Sequence, residues 1–397
     1  MQLSRFATNI KIDEDDYMLY SLKTRQYYPY KKEAQEQLEK LLDELNKGEY
    51  TLEEIQCIEK LMKKGILISD NQDELAELEF LENKTKYQTD QLNMMVVVTN
   101  ACNFRCEYCV QEHEIKNLSS NAEHNILEFI KNNAKIKRNI TISWFGGEPL
   151  LKFADIKRML HKACQYGDEY GCKITSDITT NGYLLNEQNI REMKQLNVKS
   201  IQITKVSEQN IFVILRINID EKNVDTATNI LSEIPEQYRS NIAVNVANLY
   251  QIKDKISTYQ IYKKAIELGY QYIERKNQYI ACHTCFSEGY VVDTDANVII
   301  CANAVEDKIL GRIDEKGKVC ITNPKVRYQL KTASMIKNPN CRKCIQLPFC
   351  ISTCKKAIYK ENVICQGKRA NGLSIEEIAK LDYLYDKKCM EYREKTA

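Results

Sequence analysis

The sequence is poor in net charge, in long apolar runs and in histidine. Its 57 Lys and Arg balance 55 Asp and Glu to leave +2, so no global field points to nucleic acid or to an anionic membrane as a partner. No apolar run approaches the roughly 20 residues of a membrane span, and the N-terminus lacks the basic-then-apolar pattern of a secretory signal. The expected location is therefore the cytoplasm. Four histidines without a pairing pattern, His113, His124, His161 and His283, read as surface or core residues; only His283 stands between two cysteines. What is abundant is cysteine, 16 in 397 residues. In a reducing compartment closely spaced cysteines read as metal sites rather than disulfides. Eleven of them fall in two regions, while Cys57, Cys164, Cys172, Cys320 and Cys389 are scattered and read as small hydrophobes or inert thiols.

The first region is Cys102-x3-Cys106-x2-Cys109, directly after the β-branched run Met94 to Thr99. Three thiolates are one short of a closed zinc tetrahedron, whereas a 4Fe-4S cluster on three cysteines keeps one iron open. From Met94 onward apolar strands alternate with amphipathic helices. Strands are expected at Met94 to Thr99, Asn139 to Trp144 and Lys173 to Thr179, each with a helix behind it. Such βα units make a parallel sheet, whose ligands lie at the carboxyl ends of the strands. The cysteine loop and Gly146-Gly147-Glu148-Pro149 both fall at that edge. The paired glycines let backbone approach a ligand, and Glu148 with nearby carbonyls can accept hydrogen bonds from an ammonium group.

This combination resembles the radical S-adenosylmethionine enzymes. The resemblance implies a partial (β/α)6 TIM-like barrel within an α/β fold. It also implies a 4Fe-4S cluster on Cys102, Cys106 and Cys109 whose open iron chelates S-adenosyl-L-methionine, cleaved on reduction to a 5′-deoxyadenosyl radical. Tyr108 would pack near the adenine, and Gly146, Gly147 and Glu148 would hold the methionine amino group. Asn181, in Thr180-Asn181-Gly182, would line the pocket, and Arg216 would reach the cofactor carboxylate.

The second region comprises Cys282 and Cys285, then Cys301 beyond the turn Asp293 to Asn297, then Cys341-x2-Cys344-x5-Cys350-x3-Cys354 and finally Cys365. By ligand chemistry alone two zinc ribbons remain open, because thiolates serve both metals. The pattern resembles the SPASM extension of radical S-adenosylmethionine enzymes. That likeness implies two auxiliary 4Fe-4S clusters, one on Cys282, Cys285, Cys301 and Cys354, the other on Cys341, Cys344, Cys350 and Cys365. Ala296 stands where the family usually has glycine, and Asn297 is expected to take the left-handed turn. Ser374 and Glu377 form a capping box for a last helix, with Leu373 placed against Ile378.

Three domains are expected: 1–90, 91–276 and 277–397. In the first, a hairpin over Asn9 to Tyr30 precedes a helix with Leu38, Leu41, Leu42 and Leu45 on one face, a helix capped by Thr51 and Glu54, and a strand at Ile66 to Ile68. This is a winged-helix-like order; the plain alternative is a cap packed on the barrel. Ahead of a barrel with a SPASM extension, it resembles the leader-recognition elements of ribosomal peptide pathways. The resemblance implies a peptide maturase that abstracts hydrogen from a precursor peptide to form a thioether or other crosslink, supplied with electrons by a flavodoxin or ferredoxin. A sulfatase-type protein maturase is the alternative within the same chemistry.

One stretch breaks the pattern. Strands are expected at Ser200 to Thr204 and Ile211 to Ile219, leaving only Lys205 to Asn210 for a crossover that usually takes a dozen residues and a helix. A local hairpin, a lost barrel strand or a shortened chain would each explain it, and each admits a peptide-binding homologue with impaired catalysis.

Overall fold

The computed structural model describes residues 1–109, 111, 114–203, 212–249, 252, 254–272, 282–302, 309–351, 354, 358 and 372–396. The chain opens with strand β1 (Gln2–Leu3) and an antiparallel meander of β2 (Ala7–Lys11), β3 (Asp16–Ser21) and β4 (Gln26–Lys31). Helices α1 (Gln35–Asp43) and α2 (Leu52–Lys63) follow, then β5 (Leu67–Ile68), which pairs back on β1, and α3 (Glu74–Lys86). The Thr51 and Glu54 capping box forms at the head of α2, satisfying two of the donors a helix start leaves open.

The period of β3 divides this region between two cores. Leu19 turns to a small core with Tyr30, Leu38, Leu41, Leu45, Ile58, Leu61, Ile66 and Leu67. Met18, Tyr20 and Leu22, on the other face, join the large core that holds the barrel. The N-terminal region therefore has a core of its own and is also packed into the body.

The barrel comprises β6 (Gln91–Thr99), α4 (Ser120–Ala134), β7 (Asn139–Gly146), α5 (Phe153–Tyr170), β8 (Lys173–Thr180), α6 (Glu187–Gln195), β9 (Val198–Ile203) and β10 (Phe212–Ile219). It continues through α7 (Asn229–Glu233), α8 (Glu236–Arg239), β11 (Ile242–Asn248), α9 (Tyr259–Glu267) and the two-residue β12 (Gln271–Tyr272). Strands β6 to β12 lie side by side in chain order and all parallel, giving six long strands and a short seventh. Ile140, Ile142, Trp144, Ile174 and Ile178 pack outward with Ile126, Ile130, Met159 and Leu160 of the helices. The alternate residues, Thr141, Ser143, Thr175, Asp177, Arg216 and Asn218 among them, line the lumen.

Beyond β12 come β13 (Gly289–Val292), β14 (Asn297–Ile299), β15 (Ile309–Ile313) and β16 (Val319–Ile321), then α10 (Pro324–Thr332), α11 (Pro339–Arg342), α12 (Leu347–Cys350) and α13 (Ile375–Thr396). β13 adds parallel to β6, and the next three strands continue the same sheet antiparallel. Ser374 and Glu377 form the expected capping box at the start of α13, with Leu373 and Ile378 both buried. No helix among the described residues is long and apolar enough to cross a membrane.

The short link after β9 does not make a hairpin. β9 and β10 pair in parallel, with Phe212 opposite Ser200 and Leu215 opposite Ile203. Return from Ile203 to Phe212 covers about 10 Å along the strand and about 5 Å sideways. Nine Cα steps reach about 30 Å, so a helix is not required for closure. The dozen-residue expectation describes helical crossovers, and this one is short without loss of a strand. Its residues, Thr204 to Ser207 included, lie outside the described set.

Candidate active site

The cysteine loop leaves β6 at its carboxyl end and is cinched at its base. Thr99 donates its hydroxyl to Asn117 Oδ1 at 2.7 Å, and the Asn100 amide donates to the Lys116 carbonyl at 2.8 Å. Within the loop the Cys109 amide donates to the Cys106 carbonyl at 3.0 Å, and the Phe104 amide points at Cys102 Sγ at 3.3 Å. An N–H aimed at sulfur favours the thiolate, the form that binds metal. Burial, partly offset by that bond, raises the Cys102 thiol in the metal-free chain, and Glu148, Cys106 and Cys109 add to the rise. The three sulfurs thus feel one another across a single loop. That donor set fits an iron-sulfur cluster.

The Gly146-Gly147-Glu148 turn packs on the stem of this loop. The Gly147 amide donates to the Thr99 carbonyl at 2.9 Å and the Glu148 amide to the Ala101 carbonyl at 2.8 Å. A Cβ at Gly147 would lie 2.4 Å from the Ala101 carbonyl oxygen, so only glycine permits this approach. Glu148 differs from expectation. It is fully buried, and its carboxylate accepts from the Leu150 amide at 2.8 Å, the Thr180 hydroxyl at 2.7 Å and the Asn181 amide at 2.7 Å. Its carboxylate therefore clamps the turn after β7 to the turn after β8. Burial raises its pKa while these three bonds pull it down.

Asn181 completes the clamp, its side-chain amide donating to Asn103 Oδ1 at 2.8 Å and lying 3.9 Å from Cys102 Sγ. Tyr108 reaches across the mouth from the cysteine loop, its hydroxyl bonding Asn218 of β10 and Cys106, with burial foremost in raising its pKa. Arg216, two residues earlier on β10, donates Nε to Asn218 Oδ1 at 3.0 Å. Tyr108, Asn181 and Arg216 therefore border one mouth with the three cysteines, and the registration left open by the short link is settled by the parallel ladder.

The second cysteine region abuts the opposite side of β6. Cys282 and Cys285 lie 3.3 Å apart at their sulfurs, and the Cys285 thiol, with the Thr284 and Cys285 amides, holds the surface-exposed Cys282 thiol down at about 6, against partial desolvation. Cys301 follows β14; Cys341 and Cys344 share a turn closed by the Cys344 amide on the Cys341 carbonyl; Cys350 ends α12. Cys354 is exposed, and Cys365 lies outside the described residues. Among the described residues no three ligating side chains converge closely enough to hold a single metal ion. Over the Cys282–Cys285 segment lies Lys331 of α10, 7% exposed, donating to the Gly289 and Phe286 carbonyls. Burial and then Arg327, one turn away, lower Lys331 to about 7, whereas Cys285, Cys282 and Glu288 favour its charge. A buried ammonium beside a second cation suits an anionic group such as a thiolate-bound cluster.

The hairpin turn between β13 and β14 corrects a smaller expectation. Ala296, not Asn297, takes the left-handed conformation, at φ +64°, and it is fully buried. The Asp293 carboxylate fixes the turn by accepting from the Asp295 and Asn297 amides and from the Asn297 side chain. Lys116 pairs with Asp295, tying the stem of the cysteine loop to this turn. Of the scattered cysteines, Cys172 is buried as expected but Cys320 is exposed on β16.

Sequence reasoning had no acid or base to offer, and the lumen supplies one grouping. Ser143 donates its hydroxyl to Asp177 Oδ2 at 2.8 Å, and the same oxygen is 3.0 Å from His283 Nε2. The available signal was the polar residue at every second position of β7 and β8. His283, by contrast, enters from 140 residues away.

The comparisons with known proteins agree with this geometry. Residues 96–224 match the model of the Radical SAM superfamily. Along 382 aligned residues the chain is 24% identical to the radical SAM cyclopropyl synthase TigE of Paramaledivibacter caminithermalis, covering 79% of each. It is 29% identical over 190 residues to the GTP 3′,8-cyclase of Helicobacter pylori, covering 45% of this chain and 54% of the cyclase. In structure it resembles anSMEcpe, solved with bound AdoMet and the Kp18Cys peptide, at a TM-score of 0.51 and 13% identity over 77% of this chain and all of that one. The three-cysteine loop at the mouth of the parallel barrel lies within the span that matches this model, so residues 96–224 form a Radical SAM domain, whose family uses a 4Fe-4S cluster and S-adenosylmethionine.

Proposed function

We propose that the chain is a peptide maturase that oxidises a ribosomally made precursor, forming a thioether or another crosslink. The supporting observation is the union, in one packed body, of the cysteine-bordered mouth with an N-terminal sheet that offers a free edge. β2 and β4 are the edge strands of that sheet. The Lys32 amide bonds the Asp15 carbonyl, and the β3–β4 register places Pro29 opposite Met18, in a non-hydrogen-bonded pair. The missing N–H of Pro29 thus faces the free side of β4, which deprives that edge of a donor. β2 has no proline and presents the main-chain groups of Asn9 and Lys11 outward. A leader peptide adds its strand to β2.

Cys102, Cys106 and Cys109 hold the cluster that binds S-adenosylmethionine. Tyr108, Asn181 and Arg216 line the cofactor, while Gly146 and Gly147 offer it backbone carbonyls. Glu148 holds these turns in register. Bound and reduced, the pair supplies the acceptor for a substrate hydrogen atom. Cys282, Cys285, Cys301 and Cys354 hold one auxiliary cluster, and Cys341, Cys344, Cys350 and Cys365 a second. The N-terminal unit, residues 1–90, recognises the leader, and a flavodoxin or ferredoxin supplies the electron.

The test is anaerobic reconstitution followed by iron and sulfide analysis, where about twelve irons per chain are expected. S-adenosylmethionine, dithionite and a panel of synthetic cysteine-containing peptides are then added. Peptide-stimulated 5′-deoxyadenosine together with a peptide lighter by two hydrogens is the expected result. Full cluster loading with no response to peptide would count against the maturase reading. Asn9→Pro removes an outward donor from β2 and is expected to weaken peptide affinity at least tenfold; unchanged affinity would move the docking site elsewhere.

A further inference from the structure

One wall of the lumen is polar. Thr141 and Thr175 face each other at 3.1 Å between their hydroxyl oxygens, and one step toward the mouth Ser143 faces Asp177. Three and four residues beyond Asp177, Thr180 and Asn181 grip Glu148 and the cysteine loop, which sets Asp177 about 10 Å below the mouth. Ser143 is the hinge of the group. Its single proton goes to Asp177 Oδ2, so at 3.0 Å the neighbouring His283 Nε2 must donate to the Ser143 oxygen. The imidazole is thereby held in one tautomer, and the carboxylate is aimed by a hydroxyl that is itself anchored.

Asp177 is unlike the other acid of the barrel. Glu148 accepts three hydrogen bonds and is sealed, whereas Asp177 accepts one and remains partly exposed to the lumen. Among the described residues its Oδ1 receives no hydrogen bond. Its neighbours are uncharged: Ser143 on β7, Ser200 opposite on β9, and His283 beyond Ser143. Among the described residues the carboxylate therefore has an unfilled acceptor position and no cation paired with it.

We propose that Asp177 accepts the proton the peptide loses during oxidation, with Ser143 and His283 as positioning residues that hold its carboxylate toward the lumen. The inference rests on the maturase reading above and assigns a base to it. The balance is simple. A peptide that gains one crosslink loses two hydrogens. One leaves as an atom and ends in the 5′-methyl group of 5′-deoxyadenosine, with methionine as the other fragment of the cofactor. The other leaves as a proton to Asp177 Oδ1, and the matching electron passes to an oxidised iron-sulfur cluster. Burial pushes Asp177 up to about 6, against the pull of the Ser143 bond. It is thus ionised at neutral pH and more basic than an ordinary aspartate, as a general base should be.

The experiment uses the reconstituted holoenzyme in D2O with S-adenosylmethionine, dithionite and the cysteine-containing peptide that stimulates 5′-deoxyadenosine formation in the test above. Product, 5′-deoxyadenosine and deuterium in recovered peptide are each quantified. Asp177→Asn preserves shape and the Ser143 bond. It is expected to form 5′-deoxyadenosine still, to cut product about a hundredfold or more, and to return unmodified peptide carrying solvent deuterium. Asp177→Glu should recover part of the product. Ser143→Ala removes the bond that lowers the Asp177 pKa, so the acid limb of product formation should move to higher pH. A purely structural aspartate would move neither the deuterium content nor that limb. An Asp177→Asn enzyme with the wild-type ratio of product to 5′-deoxyadenosine would overturn the proposal. Wild-type enzyme that ignores the peptide would instead sink the maturase reading, and the proposed base with it.

Discussion

Asp382 and Asp177 are both removed from bulk water, one at the seam between the N-terminal sheet and the body, the other in the barrel lumen. Asp382 is fully buried and receives Arg25 Nε at 2.9 Å, Arg25 Nη2 at 2.6 Å and the Tyr20 hydroxyl at 2.7 Å. Arg25 in turn lies 3.5 Å from the Tyr272 hydroxyl and over that ring. Every charge at the seam has its opposite, in the fork geometry that suits arginine and carboxylate. Asp177 has a hydroxyl where Asp382 has a guanidinium. The contrast separates two uses of a buried acid: one ties β3, the β4 turn, β12 and α13 together, and the other keeps proton affinity available.

The seam should break hardest. Asp382→Ala removes the carboxylate that the charged, buried Arg25 is paired with, and a loss of about 3–5 kcal/mol in denaturant unfolding is expected. Replacing both partners by apolar residues of similar volume should recover most of that loss. If the single and double variants were equally unstable, the seam would be held by packing alone. The lumen should respond with the opposite sign. A carboxyl raised to about 6 in the folded chain, from about 4 in the unfolded one, gives stability that is complete below pH 4 and lost as pH rises through 6. Asp177→Asn should therefore be more stable than wild type by about 2 kcal/mol at pH 8 and equal to it near pH 4. Thermal unfolding across that range checks it, and a pH-independent difference would point to altered packing instead. Ser143→Ala should enlarge the pH-dependent difference by about 1 kcal/mol, because a hydrogen bond to the ionised form is lost.

What could be read from the chain beforehand divides along the same line. Short-range chemistry was legible: the three-cysteine loop after a strand, the glycine pair at the next strand end, and the capping boxes of Thr51 with Glu54 and Ser374 with Glu377. Each is decided by residues within a few positions of one another. The seam was not legible, since Arg25 and Asp382 are 357 residues apart and no local pattern marks either. Glu148 was placed at the right turn, but the three donors its carboxylate meets there were not foreseen. Its partners Thr180 and Asn181 arrive only when β7 and β8 pair, and three donors then draw the carboxylate inward. The link after β9 misled because crossover length was judged by helical precedent, not by the distance between strand ends. Asp177 carried a weak signal, a charged residue alternating with Ile174 and Ile178, and its meaning depended on Ser143 and His283.

The smallest effect lies at Ala296, where both kinds of region meet. The turn it occupies joins the cysteine loop through Lys116 and Asp295, and its backbone is left-handed at a residue bearing a Cβ. That conformation costs an L-residue about 1–2 kcal/mol, of which glycine recovers a part while adding freedom to the unfolded chain. Ala296→Gly should therefore stabilise the protein by about 0.5 kcal/mol, with iron content unchanged. Destabilisation would mean that the buried methyl contributes more to packing than the backbone loses in strain. The seam carries the same strain with a different outcome. Arg25 is also left-handed, at φ +55°, and there no glycine could help. Arg25→Gly removes strain and the ion pair together, so it should fall near Asp382→Ala and far from Ala296→Gly. If the two glycine variants changed stability alike, backbone conformation would outweigh charge pairing at Arg25.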